Sequence, residues 1–370
     1  MKESLLALFV ALSVTYLVTG MVRKFALAAG VAPPVRDRDV HAVPIPRLGG
    51  LAMFAGLCAA LIVASELPFM QSIYRQSDDP KAVFFGGLLI CLLGVVDDKW
   101  GVDPFLKLGG QILAALVMAM YGIQMTWIPI PGVTTVLLDP TTGILLTVLI
   151  VVVTINAVNF VDGLDGLAAG MVGIAALAFF GFSWYQWTRN GIEAVASPTL
   201  MSAILVGMCL GFLPHNFNPA RIFMGDTGSM LIGLVLSASS ISLAGKLDSH
   251  GLNHFVPALL PLLLPVAVLA VPLVDLCLAV VRRTWKGQSP FAADKQHLHH
   301  RLLDIGHSHR RAVLIMYLWA AVIAFGTVGL SFAPSPVPMA VFVLVLVLAM
   351  LVVVWPRVRA NRRVSPTRSA

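Results

Sequence analysis

The residues able to do chemistry are concentrated in a few short stretches of the chain. Asp97-Asp98 follows directly on the apolar run Leu88–Val96. Two adjacent carboxylates at a membrane boundary repel each other, so they favour a bound cation or a raised pKa; the plainer reading is a helix end solvated at the interface. A second stretch carries Asn156, Asn159, Asp162 and Asp165, each three residues after the last, so that neighbours share a helical face. Gly163 and Gly166 then allow a tight turn and close approach of a ligand to the backbone. The plainer reading here is polar bonding between helices followed by a turn. A third stretch runs from His215 and Asn216 through Phe223 to Asp226 and Thr227, immediately ahead of an apolar segment. An Asp in that place caps a helix, but a helix N-terminus also attracts phosphate, and an Asp beside it is a ligand for the Mg²⁺ that phosphates bring. Phe223, aromatic and interfacial, is either an anchor or a platform for a base.

The fourth stretch, Asp294 to Arg301, holds His297, His299 and His300 in the longest basic loop. Three histidines in four residues suggest zinc. No cysteine partner is near, however, and the excess of hard oxygen ligands suits Mg²⁺ better. The histidines and Arg301 are read as contacts to phosphate and sugar. His307 and His309, further on, are read as interfacial. Residues 36–50 bring Arg38 and His41 up to a Pro-rich segment ending in Gly49-Gly50, which is either an ordinary basic loop or a wall of the same site. Lys107 enters an apolar segment, where a cation needs a partner.

Long apolar elements must carry these groups. The chain is 58% hydrophobic and 12% charged, with mean hydropathy +0.89, whereas soluble domains carry about 25% charged residues. Eleven segments approach the roughly 20 apolar residues of a membrane-spanning helix: 3–22, 48–65, 82–96, 106–123, 143–160, 167–187, 199–214, 228–245, 255–281, 313–332 and 337–355. The expected fold is therefore all-α and polytopic, with residues 1–355 as one transmembrane catalytic domain and 356–370 as a basic, disordered tail. The first segment lacks a small-residue cleavage site and is read as a retained signal anchor. The four cysteines all lie within apolar segments, without disulfide or zinc spacing.

Of the 25 Lys and Arg residues, 20 fall in or at the edge of one set of loops. That asymmetry makes this set and the C-terminus cytoplasmic and the N-terminus external. It also accounts for the +7 net charge without a nucleic-acid partner. The same face holds eleven of the 18 carboxylates, all Asp, and seven of the nine histidines. Loop solvation alone would mix Glu with Asp on both faces. A surface of Asp, His, Lys and Arg suits a metal and a phosphate.

Taken together and in order, Pro44–Gly50, Val95–Asp98, Asn156–Gly166, Phe223–Ser229 and Asp294–Arg301 resemble the polyprenyl-phosphate N-acetylhexosamine-1-phosphate transferases. The resemblance covers residues 33–332. Leu298, which interrupts the histidine run, resembles the branch that uses UDP-GlcNAc; an unbroken run of three marks the phospho-MurNAc-pentapeptide translocases. The resemblance implies transfer of GlcNAc-1-phosphate from UDP-GlcNAc to a polyprenyl phosphate, releasing UMP, with Mg²⁺ as cofactor and Mn²⁺ as a substitute. It implies an enzyme of the plasma membrane with its site on the cytoplasmic face, and a homodimer is open to it. It makes Asp226 a metal ligand, Asp97 a base towards the lipid phosphate, and Asp98 a support for the metal or for Asp97. Asn156, Asn159, Asp162, Asn216 and Phe223 would hold the uridine end, with Asp165 ordering that loop. Lys107, His297, His299, His300 and Arg301 would face diphosphate and sugar, with Arg38 and His41 at the rim.

Two other classes compete. A secondary transporter would place ionisable groups near the bilayer midplane, in repeated halves; here the carboxylates gather at one boundary and no internal repeat is found. A metal-dependent membrane hydrolase could use the same Asp and His groups but leaves the asparagine series unexplained.

Overall fold

The computed structural model describes residues 2–30, 45–129, 135–247 and 308–332. Over these residues the chain is a bundle of helices: α1 (Lys2–Ala28), α2 (Gly49–Glu66), α3 (Pro68–Gln76), α4 (Asp79–Trp100), α5 (Pro104–Met120), α6 (Pro140–Val161), α7 (Leu167–Asn190), α8 (Ala196–Asn216), α9 (Gly225–Lys246) and α10 (His309–Phe332). Eight of the described helices are long and apolar enough to cross a membrane, and α5 is a shorter apolar helix. The expected spans 255–281 and 337–355 lie outside the described residues, as does the tail.

Local chemistry sets the helix starts. Asp103 precedes Pro104 and accepts the N–H of Phe105 at 2.9 Å. Asp139 precedes Pro140 and accepts the N–H groups of Thr141 and Thr142, each at 3.1 Å. Each acidic cap satisfies donors the helix cannot, and proline at the first position already has helical φ and lacks an N–H to lose.

Two elements depart from the all-α expectation or from the expected spans. Trp127–Pro129 (β1) pairs antiparallel with Thr135–Leu137 (β2), Ile128 opposite Val136; β-branched and aromatic residues favour such pairing. The short helix α3 contains no long apolar run, so its sequence carries no span signal. It is fixed from α1, where Glu3 accepts the N–H groups of Phe69 and Met70 at 3.3 and 2.9 Å.

The core is built round α8 and α9. The apolar windows of both are 94% buried, against 28% for α1 and α10, so among the described residues α8 and α9 run through the centre and α1 and α10 lie at the periphery. α9 packs on α2, α4, α6 and α8. Its serines do not disrupt this core, because Ser237 and Ser239 donate to the carbonyls of Leu234 and Val235, both at 2.8 Å. Exposed Phe9, Leu17, Met21, Leu145 and Leu149 cover the outer faces of α1 and α6, as a hydrocarbon surround requires.

α4 and α9 run antiparallel and are joined at both ends. At one end the buried Asp79 pairs with Lys246 and accepts Ser197 and Ser242 hydroxyls at 2.8 and 2.6 Å. At the other end Gly94 lets the helices meet, since a Cβ there would lie 2.3 Å from Thr227 Cα. Because that neighbour is backbone, Gly94→Ala is expected to overpack the contact and destabilise the protein by about 1–3 kcal/mol. A thermal midpoint in detergent equal to that of the unsubstituted protein would refute this packing account.

Candidate active site

The joined ends of α4 and α9 form the site. α9 begins at Gly225, whose φ is +69° and whose added Cβ would fall 2.4 Å from Asp98 Oδ2. Asp98 fills the space glycine leaves. It accepts the N–H of Asp226 at 2.8 Å, the N–H of Thr227 at 3.0 Å and the Thr227 hydroxyl at 2.6 Å. A carboxylate from another helix thus caps α9, satisfying its first donors and meeting the positive end of its dipole.

Lys107, on the first turn of α5, bridges the two carboxylates that remain. Its ammonium donates to Asp97 Oδ2 at 2.8 Å and also pairs with Asp226. Asp97 Oδ1 accepts the N–H of Val102 at 2.7 Å, which closes the turn between α4 and α5 over it. Asn159, on α6, donates to Asp226 Oδ1 at 2.6 Å and to Ser229 Oγ at 2.8 Å. Side-chain exposure rises from 11% at Asp97 to 18% at Lys107 and 31% at Asp226, so Asp226 is the most open to a ligand. One helical turn further in, a second bridge crosses the same helices. Asn156 donates to Gln111 Oε1 at 2.7 Å and Gln111 donates to Met230 Sδ at 3.5 Å.

The turn after α6 forms the adjoining wall. Asn216 is buried with both ends of its amide in use, accepting Gly166 N–H and donating to the Ile222 carbonyl, each at 3.0 Å. Asp165 Oδ2 accepts Asn218 Nδ2 at 2.9 Å and Ala220 N–H at 3.0 Å. These bonds lock the 162–166 turn to the 216–222 segment. Asp162 stands on that turn, beyond the end of α6. Burial of its carboxyl, and then the negative charge of Asp226 and Asp98, push its pKa well above the ordinary carboxylate range, against the pull of Arg47.

The structure brings Asp97, Asp98, Lys107, Asn159, Asp162 and Asp226 together. It places Asp165 and Asn216 behind them as braces, with Asn156 in the inner bridge. Phe223 joins the site through its backbone, its carbonyl accepting Gly49 N–H at 3.0 Å. Asp98, read from sequence as a metal support, is engaged three times by α9, and Asn216, read as a uridine contact, has its amide occupied within the protein. Arg38, His41, His297, His299, His300 and Arg301 lie outside the described residues. Sequence reasoning gave Thr227, Ser229 and Gln111 no role of their own. The first two follow Asp226 within three residues, and Gln111 lies one helical turn after Lys107, spacings that were available as signals.

Comparisons with known proteins bear on this geometry. The family described as "Glycosyl transferase family 4" matches residues 81–244. The decaprenyl-phosphate N-acetylglucosaminephosphotransferase of Mycolicibacterium smegmatis is 46% identical over 337 residues, covering 90% of this chain and 83% of that protein. The enzyme of the same name from Mycobacterium tuberculosis H37Rv has the same identity and coverage. A probable undecaprenyl-phosphate N-acetylglucosaminyl 1-phosphate transferase of Bacillus subtilis is 32% identical over 333 residues, covering 90% of this chain and 86% of its own. This chain belongs to glycosyl transferase family 4. The matched residues run from α4 to α9 and so take in every side chain of the Asp97–Lys107–Asp226 bridge.

Lys107 is the one cation that the structure pairs with both Asp97 and Asp226 among the described residues. Lys107→Met removes that charge and leaves Asp97 and Asp226 facing each other. Turnover is expected to fall by about a hundredfold or more, the range seen when one charge-stabilising donor is lost. A detergent-purified variant that keeps its thermal midpoint and more than a tenth of its turnover would contradict this role.

Proposed function

We propose that this protein transfers GlcNAc-1-phosphate from UDP-GlcNAc to a polyprenyl phosphate at the cytoplasmic face of the plasma membrane, as the first membrane step of an envelope polymer. The observation that carries the reading is the bridge of Lys107 between Asp97 and Asp226 at the N-terminus of the central helix. The relatives' names supply the substrate class, and the excess of Lys and Arg in one set of loops supports eleven spans with the N-terminus outside.

The donor set fits Mg²⁺. Among the described residues no three His, Cys, Asp or Glu side chains gather round one point, whereas Mg²⁺ is commonly held by one or two carboxylates together with substrate phosphates and water. Asp226, the more open of the two carboxylates that Lys107 bridges, is the ligand in this reading, and Asp97 lies across Lys107 from it. The metal would neutralise charge developing on the diphosphate.

The reaction asks the protein mainly for positioning and charge. An oxygen of the lipid phosphate attacks the phosphorus that carries the sugar, forming the new diphosphate bond. The bond from that phosphorus to the bridging oxygen of the UDP-GlcNAc diphosphate breaks, and UMP leaves with the electron pair on that oxygen. Asp97 accepts any proton remaining on the lipid phosphate, and Lys107 turns from the carboxylates to the diphosphate. Asp98, Asp165 and Asn216 hold the framework. Asp162 and Phe223 face the nucleotide, and the histidines at 297, 299 and 300 with Arg301 face diphosphate and sugar.

UMP release by purified protein offered UDP-GlcNAc, UDP-GalNAc or UDP-MurNAc-pentapeptide, with and without polyprenyl phosphate, tests the reading. UDP-GlcNAc is expected to be preferred by at least about tenfold in kcat/KM, corresponding to roughly 1.4 kcal/mol of discrimination, and release is expected only when the lipid is present. Preference for the pentapeptide donor would make the chain a peptidoglycan translocase, and lipid-independent release would make it a hydrolase.

A further inference from the structure

The turn that carries Asp162 is gripped by the first three turns of α10, an element about 150 residues away in sequence. Asp165 N–H donates to His309 Nε2 at 3.2 Å, and Arg310 Nε donates to the Asn218 carbonyl at 2.9 Å. The Tyr317 hydroxyl donates to the carbonyl of Gly166. Gly166 is the left-handed residue that opens α7, with φ +79°, and its carbonyl also accepts Gly170 N–H at 3.0 Å. Tyr317 therefore reaches the first turn of α7 where it emerges from the Asp162 turn.

The chain makes room for this contact. A Cβ on Gly170 would stand 2.0 Å from Tyr317 Cζ, so any larger residue would displace the ring. The two segments that α10 touches are also bonded to each other, through Asp165 with Asn218 and through Asn216 with Gly166. α10 thus closes a three-way junction behind Asp162.

We propose that Tyr317, supported by His309 and Arg310, is a positioning residue of the reaction, setting where Asp162 stands through the Gly166 carbonyl. The proposal rests on the reading of the Asp162 turn as part of the substrate site. A phenol that only packed would tolerate loss of its oxygen. A phenol that positions the turn would transmit that loss to Asp162.

The test uses the full chain in detergent, with Tyr317→Phe, Arg310→Ala and Asp162→Asn compared against Tyr185→Phe, whose ring packs on Phe332. Three constants are measured for each: Kd for UDP-GlcNAc, Kd for polyprenyl phosphate, and kcat. Hydrogen exchange is followed over residues 163–170. Tyr317→Phe is expected to move the constant that Asp162→Asn moves most, by about five- to tenfold, as for loss of one neutral hydrogen bond. It is also expected to speed exchange in the turn, with Arg310→Ala acting in the same direction and Tyr185→Phe leaving all readings unchanged. If Asp162→Asn changes the lipid constant instead of the nucleotide constant, the nucleotide assignment fails, and Tyr317→Phe must follow the lipid constant for the proposal to stand. The proposal is overturned if Tyr317→Phe leaves the constants or the exchange as in the unsubstituted protein, or moves a constant that Asp162→Asn does not.

Discussion

The bond between Asp98 and the start of α9 is the constraint on which the rest of the site depends. A helix N-terminus at the centre of an apolar bundle has donors that neither lipid nor neighbouring side chains would otherwise meet, and each unmet donor costs about 1–3 kcal/mol. Asp98 meets two of the backbone donors and the Thr227 hydroxyl. In doing so it sets the register between α4 and α9, because Asp97 and Asp226 can then lie only on the open side of the contact. The Asp79–Lys246 pair at the far end of the same two helices prevents them from sliding. Position is thus defined at both ends of an antiparallel pair, and the reactive carboxylates take their places from it.

The carboxylates of the site rest on two different supports. Asp98 is held by the end of α9, whereas Asp97 and Asp226 share Lys107. In the absence of substrate Lys107 holds two carboxylates apart by binding both. In the reaction proposed above, a diphosphate arriving with a cation would offer Lys107 a stronger partner and Asp226 a divalent charge. Exchange of partners of this kind needs no large movement of the helices, and the inner bridge of Gln111, Asn156 and Met230 keeps α5, α6 and α9 in place while it occurs.

Much of this was legible in the sequence, for reasons specific to particular residues. Asp97-Asp98 and Gly225-Asp226 stand at the ends of apolar runs, so membrane periodicity alone carried them to one boundary. Asn156 and Asn159 share a face of α6 by helical spacing, whereas Asp162 stands past the end of that helix, where the spacing no longer holds. What sequence could not show was which carboxylate of the Asp97-Asp98 pair turns inward, since that depends on the close approach Gly94 allows. Nor could it show that Asn216 spends its amide on the backbone, because an asparagine before an Asn-Pro turn suits ligand and protein alike. The hairpin of β1 and β2 and the short helix α3 lay outside the span pattern, as neither has a long apolar run. Tyr317 was read only as part of a span, because its partner carbonyl lies on a turn remote in sequence.

The central claim is that Asp226 is the open carboxylate that receives the divalent cation, with Asp98 serving to hold it there. Mn²⁺ binding to purified protein, followed by electron paramagnetic resonance in the presence of UMP, tests this without requiring turnover. Asp226→Asn is predicted to weaken Mn²⁺ binding by at least about tenfold while the thermal midpoint is kept, in line with loss of a charged ligand. Unchanged Mn²⁺ affinity in Asp226→Asn would contradict the account.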